Sequence, residues 1–203
     1  MAEIEWLLFL GQLPARPSSL RVNVWRRLRG AGAASLQNGV WILPKNEQST
    51  IFMERLLAYI KEQEASGQIF TVGALNETVQ EDIVSRFNSD RDQEYEEFLE
   101  QCAGFTAEIE KETGNKKFTF AELEENEQNL QRLRKWFARI QRRDFFVTPK
   151  AQEAMAAFQN CHQGLKAYTQ EVYQREGIEF PADTNAFIED DRPADEEIED
   201  DVE

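Results

Sequence analysis

Three features of the 203-residue chain predict an α+β fold. Its first third alternates short β-type apolar runs with two stripes of helical spacing. From Asn76 the sequence becomes charged and helix-spaced, with no further strand signal. From about Glu179 it loses apolar periodicity and carries a dense run of like charge.

The elements follow in order. The run Trp6–Leu10 reads as a first strand, stopped by Pro and Ser residues. Leu20, Val24 and Leu28 then recur at helical spacing. Two short apolar segments joined at Asn38-Gly39 form a hairpin, because that pair tolerates the positive φ of a two-residue turn. Ser49-Thr50 is read as the start of a second helix carrying Ile51, Phe52, Leu56, Leu57 and Ile60, and Ser66-Gly67 as its end. Ile69, Phe70 and Val72, with Gly73 and Ala74, read as a fourth strand. The order β-α-β-β-α-β is the split βαβ arrangement of a ferredoxin-like sandwich, an antiparallel sheet with both helices on one face. This assigns residues 1–75 to a ferredoxin-like domain.

Residues 76–177 are expected to form a helical domain. Val79, Ile83, Val84 and Phe87 make one amphipathic stripe; Tyr95, Phe98, Leu99, Cys102 and Phe105 make another, ending near Gly114-Asn115. Thr119 and Glu122 form a capping box before Leu123, Leu130, Leu133, Phe137 and Ile140. Thr148-Pro149 opens a last helix through Met155, Phe158, Leu165, Tyr168 and Val172. Residues 178–203 cannot bury enough surface to offset their ordering entropy and are expected to be a disordered acidic tail.

The net charge of −15 argues against a nucleic-acid partner only until it is divided along the chain. Residues 1–75 carry 8 basic and 6 acidic side chains, and residues 129–177 carry 9 and 4. The deficit lies in residues 76–128, with 5 and 16, and in residues 178–203, with 1 and 12. The first apolar run is too short to span a bilayer, and acidic residues stand where a signal peptide needs cations. A cytoplasmic protein with no membrane partner is expected. Cys102 and Cys161 are far apart in sequence and suit a reducing compartment as buried small hydrophobes.

Enzymatic chemistry finds little support. His162 adjoins Cys161, but neighbouring helical side chains diverge by about 100°. No glycine-rich phosphate loop follows a strand, and neither a cofactor nor a metal site is read. Ferredoxin-like nucleases related to the CRISPR spacer-acquisition subunit place an Asp at the end of the first strand. Here Gly11-Gln12 stands there and supplies no anionic oxygen. The basic residues suggest more. Arg21, Arg26, Arg27 and Arg29 lie on the first helix, and Arg132, Arg139, Arg142 and Arg143 on the helix opened at Thr119. A guanidinium binds two phosphate oxygens at once, so both sets are candidate nucleic-acid contacts. The plainer alternative for the second set is a solvated helix end whose cations complement the dipole. The tail reads as solubilising, as a phosphate-mimicking strap over the arginines, or as a weak cation binder.

The string Trp6-Leu-Leu-Phe-Leu, the following PARPSSLRVNVWRRLRGAGAASLQNGVWILP and the later RDQEYEEFLEQC resemble the N-terminal domain of the chromate-resistance regulator family ChrB. The residues carrying the likeness are Leu13-Pro14, Arg21, Trp25, Arg26, Gly32-Ala33 and Gly39-Val40-Trp41-Ile42-Leu43-Pro44. The resemblance spans roughly residues 5–175. The strand-helix-hairpin pattern is more distantly similar to the ferredoxin-like domain of the PaaX repressor. What the ChrB resemblance implies is a non-enzymatic regulator associated with DNA and a chromate-responsive operon, with chromate as a candidate effector. Full-length members carry a further C-terminal domain, and the acidic tail is expected in its place. A homodimer, or a pair with a family paralogue, is the expected assembly. The alternatives are an interaction scaffold that dimerises with a longer regulator and, least favoured, a metal-dependent nuclease.

Overall fold

The computed structural model describes residues 3–14, 16 and 18–179. The acidic tail expected to be disordered lies outside these residues, apart from Ile178 and Glu179. The first elements are β1 (Glu5–Gln12), α1 (Ser19–Gly30), β2 (Ala34–Gln37), β3 (Val40–Pro44), α2 (Glu47–Glu62) and β4 (Ser66–Gly73). The strands form one sheet in the order β2-β3-β1-β4, with every neighbouring pair antiparallel. The fold is α+β, and helices hold most of its residues.

The central strand explains its own composition. β1 is flanked by β3 and β4, and both of its faces are covered: Trp6, Leu7 and Phe9 are all buried. A strand covered on both sides reads as a continuous apolar run. On one face Leu7 and Phe9 stand opposite Leu43 and Trp41; on the other Trp6 and Leu8 stand opposite Pro44 and Ile42. The hairpin turns at Asn38-Gly39 with Gly39 at φ +76°, where a side chain would also meet the Gly11 carbonyl. The α1 stripe Leu20, Val24 and Leu28 is buried as the spacing predicts.

Two helix boundaries differ from the expectation. α2 starts at Glu47, because the extended Asn46 accepts a hydrogen bond from the Ser49 amide at 2.8 Å and caps the helix ahead of Ser49-Thr50. Its buried side is Ser49, Met53, Leu56 and Ile60, which leaves Ile51 exposed. Ser66-Gly67 does not end α2 but begins β4, where Gly67 pairs with Gly11. The Phe9 ring lies over both glycines, and a Cβ at either would meet it at 2.8–2.9 Å.

The remaining helices are α3 (Glu77–Gly114), α4 (Phe120–Arg142) and α5 (Pro149–Glu176). α3 is one helix of 38 residues where the sequence shows two stripes. Its buried positions continue from Phe87 through Arg91 to Tyr95, Phe98, Cys102, Phe105 and Ile109. Arg91, charged yet buried, hides the continuity. Among the described residues no helix is long and apolar enough to cross a membrane.

The chain forms two compact units, one running to Glu94 and including Ile140–Pro149, the other comprising Tyr95–Arg139 and the residues from Lys150. The position 75/76 therefore falls inside the first unit. There Trp6 stacks on Phe87 with ring centroids 5.8 Å apart, and Phe145 and Phe146 meet Phe87 edge-on at 5.9 and 5.6 Å. Glu94 pairs with both Arg91, at 3.1 Å, and Arg143, at 3.0 Å.

The second unit is built from α3 beyond Glu94, α4 as far as Arg139, and α5 from Lys150. Its centre is aromatic: Phe98 stacks on Phe137 at 4.9 Å, and Phe158 lies 5.6 Å from Phe137. Thr119 accepts from the Glu122 amide at 3.3 Å, so the capping residue acts as expected. Thr148 precedes α5, but its buried hydroxyl finds no partner. Met155 faces outward and Ala154 takes the buried position beside it. Gly177, at φ +67°, ends α5 while the Ile178 amide bonds back to the Tyr173 carbonyl at 3.1 Å, a Schellman-type stop.

Among the described residues of this unit one charged side chain is buried. Glu112 accepts a 2.7 Å hydrogen bond from the buried Asn126 amide, yet burial still pushes its pKa above the usual carboxylate range. In the pH window between the unfolded and the raised folded value, the native state holds the extra proton, so stability falls as pH rises through it. Glu112→Gln keeps an acceptor for Asn126 and is expected to raise the urea midpoint at neutral pH. The gain should fade as pH drops toward the carboxylate's ordinary value of 4.5. In the first unit, Phe87→Ala should cost about 3–5 kcal/mol in the same unfolding measurement, since it empties the space beside Trp6.

Candidate nucleic-acid interface

α1 carries four arginines and no acidic residue, on a helix whose buried stripe is Leu20, Val24 and Leu28. That stripe fixes which side the other residues take. Arg21, Trp25 and Arg29 recur at four-residue spacing and share one face. They line an open groove of about 630 Å³, whose other walls include Phe9, Trp41, Ser35 and Asn38. Trp25 is half exposed, at 52%, while Trp41 and Phe9 are buried beneath. A planar aromatic side chain thus stands at the surface between two guanidinium groups.

The four α1 arginines are not equivalent. Arg29 donates to Asp90 at 2.9 Å. The Arg27 guanidinium lies over the Tyr59 ring, 4.3 Å from its centroid, a cation–π contact that fixes the side chain. Arg21 and Arg26 are exposed.

On α4, Arg132, Arg139 and Arg142 are exposed, and Lys135 shares one face with Arg132 and Arg139 at spacings of three and four residues. Arg143 lies just beyond α4 and is held inside the first unit. It pairs with Glu94, and its aliphatic stem packs against Gly32, where a Cβ would meet it at 2.9 Å. Arg132 and Arg139 belong to the second unit, and Arg142 and Arg143 to the first. The candidates therefore divide into a grouped set on α1, an exposed face on α4 and one internal partner of Glu94. Trp25 and Trp41 are groove residues that the sequence reading does not single out as site residues. The four-residue rhythm Arg21-Trp25-Arg29 was the available signal for Trp25.

The other chemistry-bearing residues sit apart from the groove. Cys102 and Cys161 are buried free thiols in the second unit, with the Cys161 Sγ 3.5 Å from the Cys102 carbonyl. A hydrogen bond with Cys161 and burial together push the Cys102 thiol up, so it keeps its proton. His162 packs edge-on against Phe158 at 4.7 Å. Gln12 ends β1, at the position where a strand-end metal ligand would have to stand.

No curated relative matches the chain. The family model described as Protein ChrB, N-terminal, matches residues 21–178. The match takes in α1 with its arginines and runs through the hairpin, α2, β4 and all three later helices. The chain belongs to the family of the ChrB N-terminal domain.

Proposed function

We propose that this protein is a non-enzymatic, cytoplasmic regulator of chromate resistance that contacts DNA phosphates through α1. The observation that carries this reading is α1 itself: four arginines without one acidic residue, in a chain of net charge −15. Arg21 and Arg26 are the primary phosphate contacts. Arg29 contributes through the guanidinium donors that Asp90 leaves over, since the group has five N–H bonds. Trp25 offers a stacking surface beside them. Arg132 and Arg139 on α4 form a second contact set, and Arg142 is a separate exposed candidate. The first module is read as ferredoxin-like, a reading supported by the element order and by the sheet order β2-β3-β1-β4.

A second reading is favoured by one observation: Arg21 and Arg29 line the same groove. Chromate is a tetrahedral dianion, and two guanidinium groups suit it as they suit phosphate. In this reading the groove receives the effector instead of the DNA backbone. The interaction-scaffold reading remains as the outcome in which neither ligand binds.

Titration of random duplex DNA at several salt concentrations separates these readings. The full chain should bind at low salt and weaken steeply as salt rises, because each neutralised phosphate releases counterions. Arg21→Ala with Arg26→Ala should flatten the slope of log affinity against log salt by about 2. Trp25→Ala should weaken binding by less, with the slope unchanged. Absence of binding at low salt, both for the full chain and for a chain ending at Gly177, would overturn the DNA reading.

A further inference from the structure

We propose that β4 is the surface through which two copies of this chain associate, their Ser66–Gly73 edges pairing antiparallel about a two-fold axis. The inference is independent of the DNA reading. Its basis is the contrast between the two ends of the sheet.

A sheet edge presents a row of unpaired N–H and C=O groups, and soluble proteins blunt such edges by shortness, bulges, charge or proline. β2, at one end, is four residues long and its register with β3 shifts between Ser35 and Gln37. β4, at the other end, has none of these devices. It pairs with β1 over eight residues without a shift, and its sequence Ser-Gly-Gln-Ile-Phe-Thr-Val-Gly holds neither charge nor proline. No residue of the strand is fully buried, and Phe70 is 45% exposed. At about 3.4 Å per residue the edge is roughly 27 Å long.

The chemistry of the edge selects its occupant. A row of alternating amide donors and carbonyl acceptors is matched by another extended strand. Antiparallel pairing of identical strands is self-complementary, so a second copy needs no surface other than this one. A two-fold pairing centred on Phe70 keeps like faces together and sets the two Phe70 rings across from each other, an aromatic pair of the kind that stabilises sheets. Charge points the same way. Two chains of net charge −15 repel at a distance, and an edge that carries no charge adds nothing to that repulsion at contact. Association through β4 therefore strengthens as salt screens that repulsion, whereas DNA binding weakens with salt. The opposite signs keep failure of one idea distinct from failure of the other.

The test uses the full chain in sedimentation velocity from low to high micromolar concentration at two salt levels, with hydrogen exchange followed on the amides of residues 66–73. The expected result is a monomer–dimer equilibrium, tighter at higher salt, in which those amides exchange more slowly as the dimer forms. Gln68→Lys with Thr71→Lys places cations at two exposed positions of the strand and should weaken association by at least about tenfold, with the melting temperature retained. A monomer at every concentration would overturn the proposal. So would a dimer whose β4 exchange does not change with concentration, or a doubly substituted chain that dimerises as the parent does. Protection, already in the dilute monomer, of the β4 amides that do not bond to β1 would assign the edge to a segment of the same chain and would equally end it.

Discussion

The first unit depends on a carboxylate shared by two guanidinium groups. Glu94 is the last residue before the chain leaves that unit, and the chain comes back at Ile140. On its return, Arg143 meets the same Glu94 oxygen that Arg91 already approaches. The Arg91 side chain is 5% exposed and that of Arg143 19%, so an uncharged residue at 94 would take from two poorly solvated cations the carboxylate they share. Bringing residue 140 back beside residue 94 carries a loop-closure cost that rises only slowly with the length between them. The interposed residues fold on a core of their own, which makes so long an excursion tolerable. What the return requires is a specific fastening at its end.

Aromatic packing supplies the second half of that fastening. Phe145 and Phe146, from the returning segment, meet Phe87 edge-on, and Phe87 stacks on Trp6 from the central strand. The indole N–H of Trp6 is buried without a hydrogen-bond partner, so packing here outweighs one unsatisfied donor. This fastening also sorts the arginines. Those tied to Asp90 and Glu94 help hold α1 and the returning segment to α3, while Arg26 stands exposed on α1 with only its own helix to answer to. The proposed phosphate contacts and the architecture thus draw on the same residue type within a few positions of each other. Burial and partners distinguish the two uses, and sequence spacing does not.

That distinction marks what the sequence could convey. The α1 stripe, the Asn38-Gly39 turn, the Thr119 cap and the helix end at Gly114 were legible, because each depends on local geometry or on a three-to-four-residue rhythm. The continuity of α3 was not, since the buried position between Phe87 and Tyr95 is held by Arg91, whose place in the core depends on a partner at Glu94. The α2 start was not legible, because Asn46 caps from an extended backbone while Ser49-Thr50, just after it, offers an equally good local signal. At the candidate site, residue type and helix were readable but partners were not. Arg143 looks like Arg142 in sequence, and only tertiary contact separates an internal ion pair from an exposed cation.

The same separation explains how a strongly acidic chain can be read as a DNA-binding one. At physiological ionic strength a charge is screened over about 8 Å, so a phosphate at a helix surface responds mainly to its immediate neighbours. The acidic residues concentrate in residues 76–128 and 178–203, whereas α1 has none. Net charge therefore governs approach from a distance, and local composition governs contact. An acidic total slows encounter and restricts non-specific binding, but it leaves the contact energy of a local arginine group largely intact. The neutral β4 edge follows the same logic for self-association: where the overall field is repulsive, the surfaces that bind are those whose local charge departs from the average.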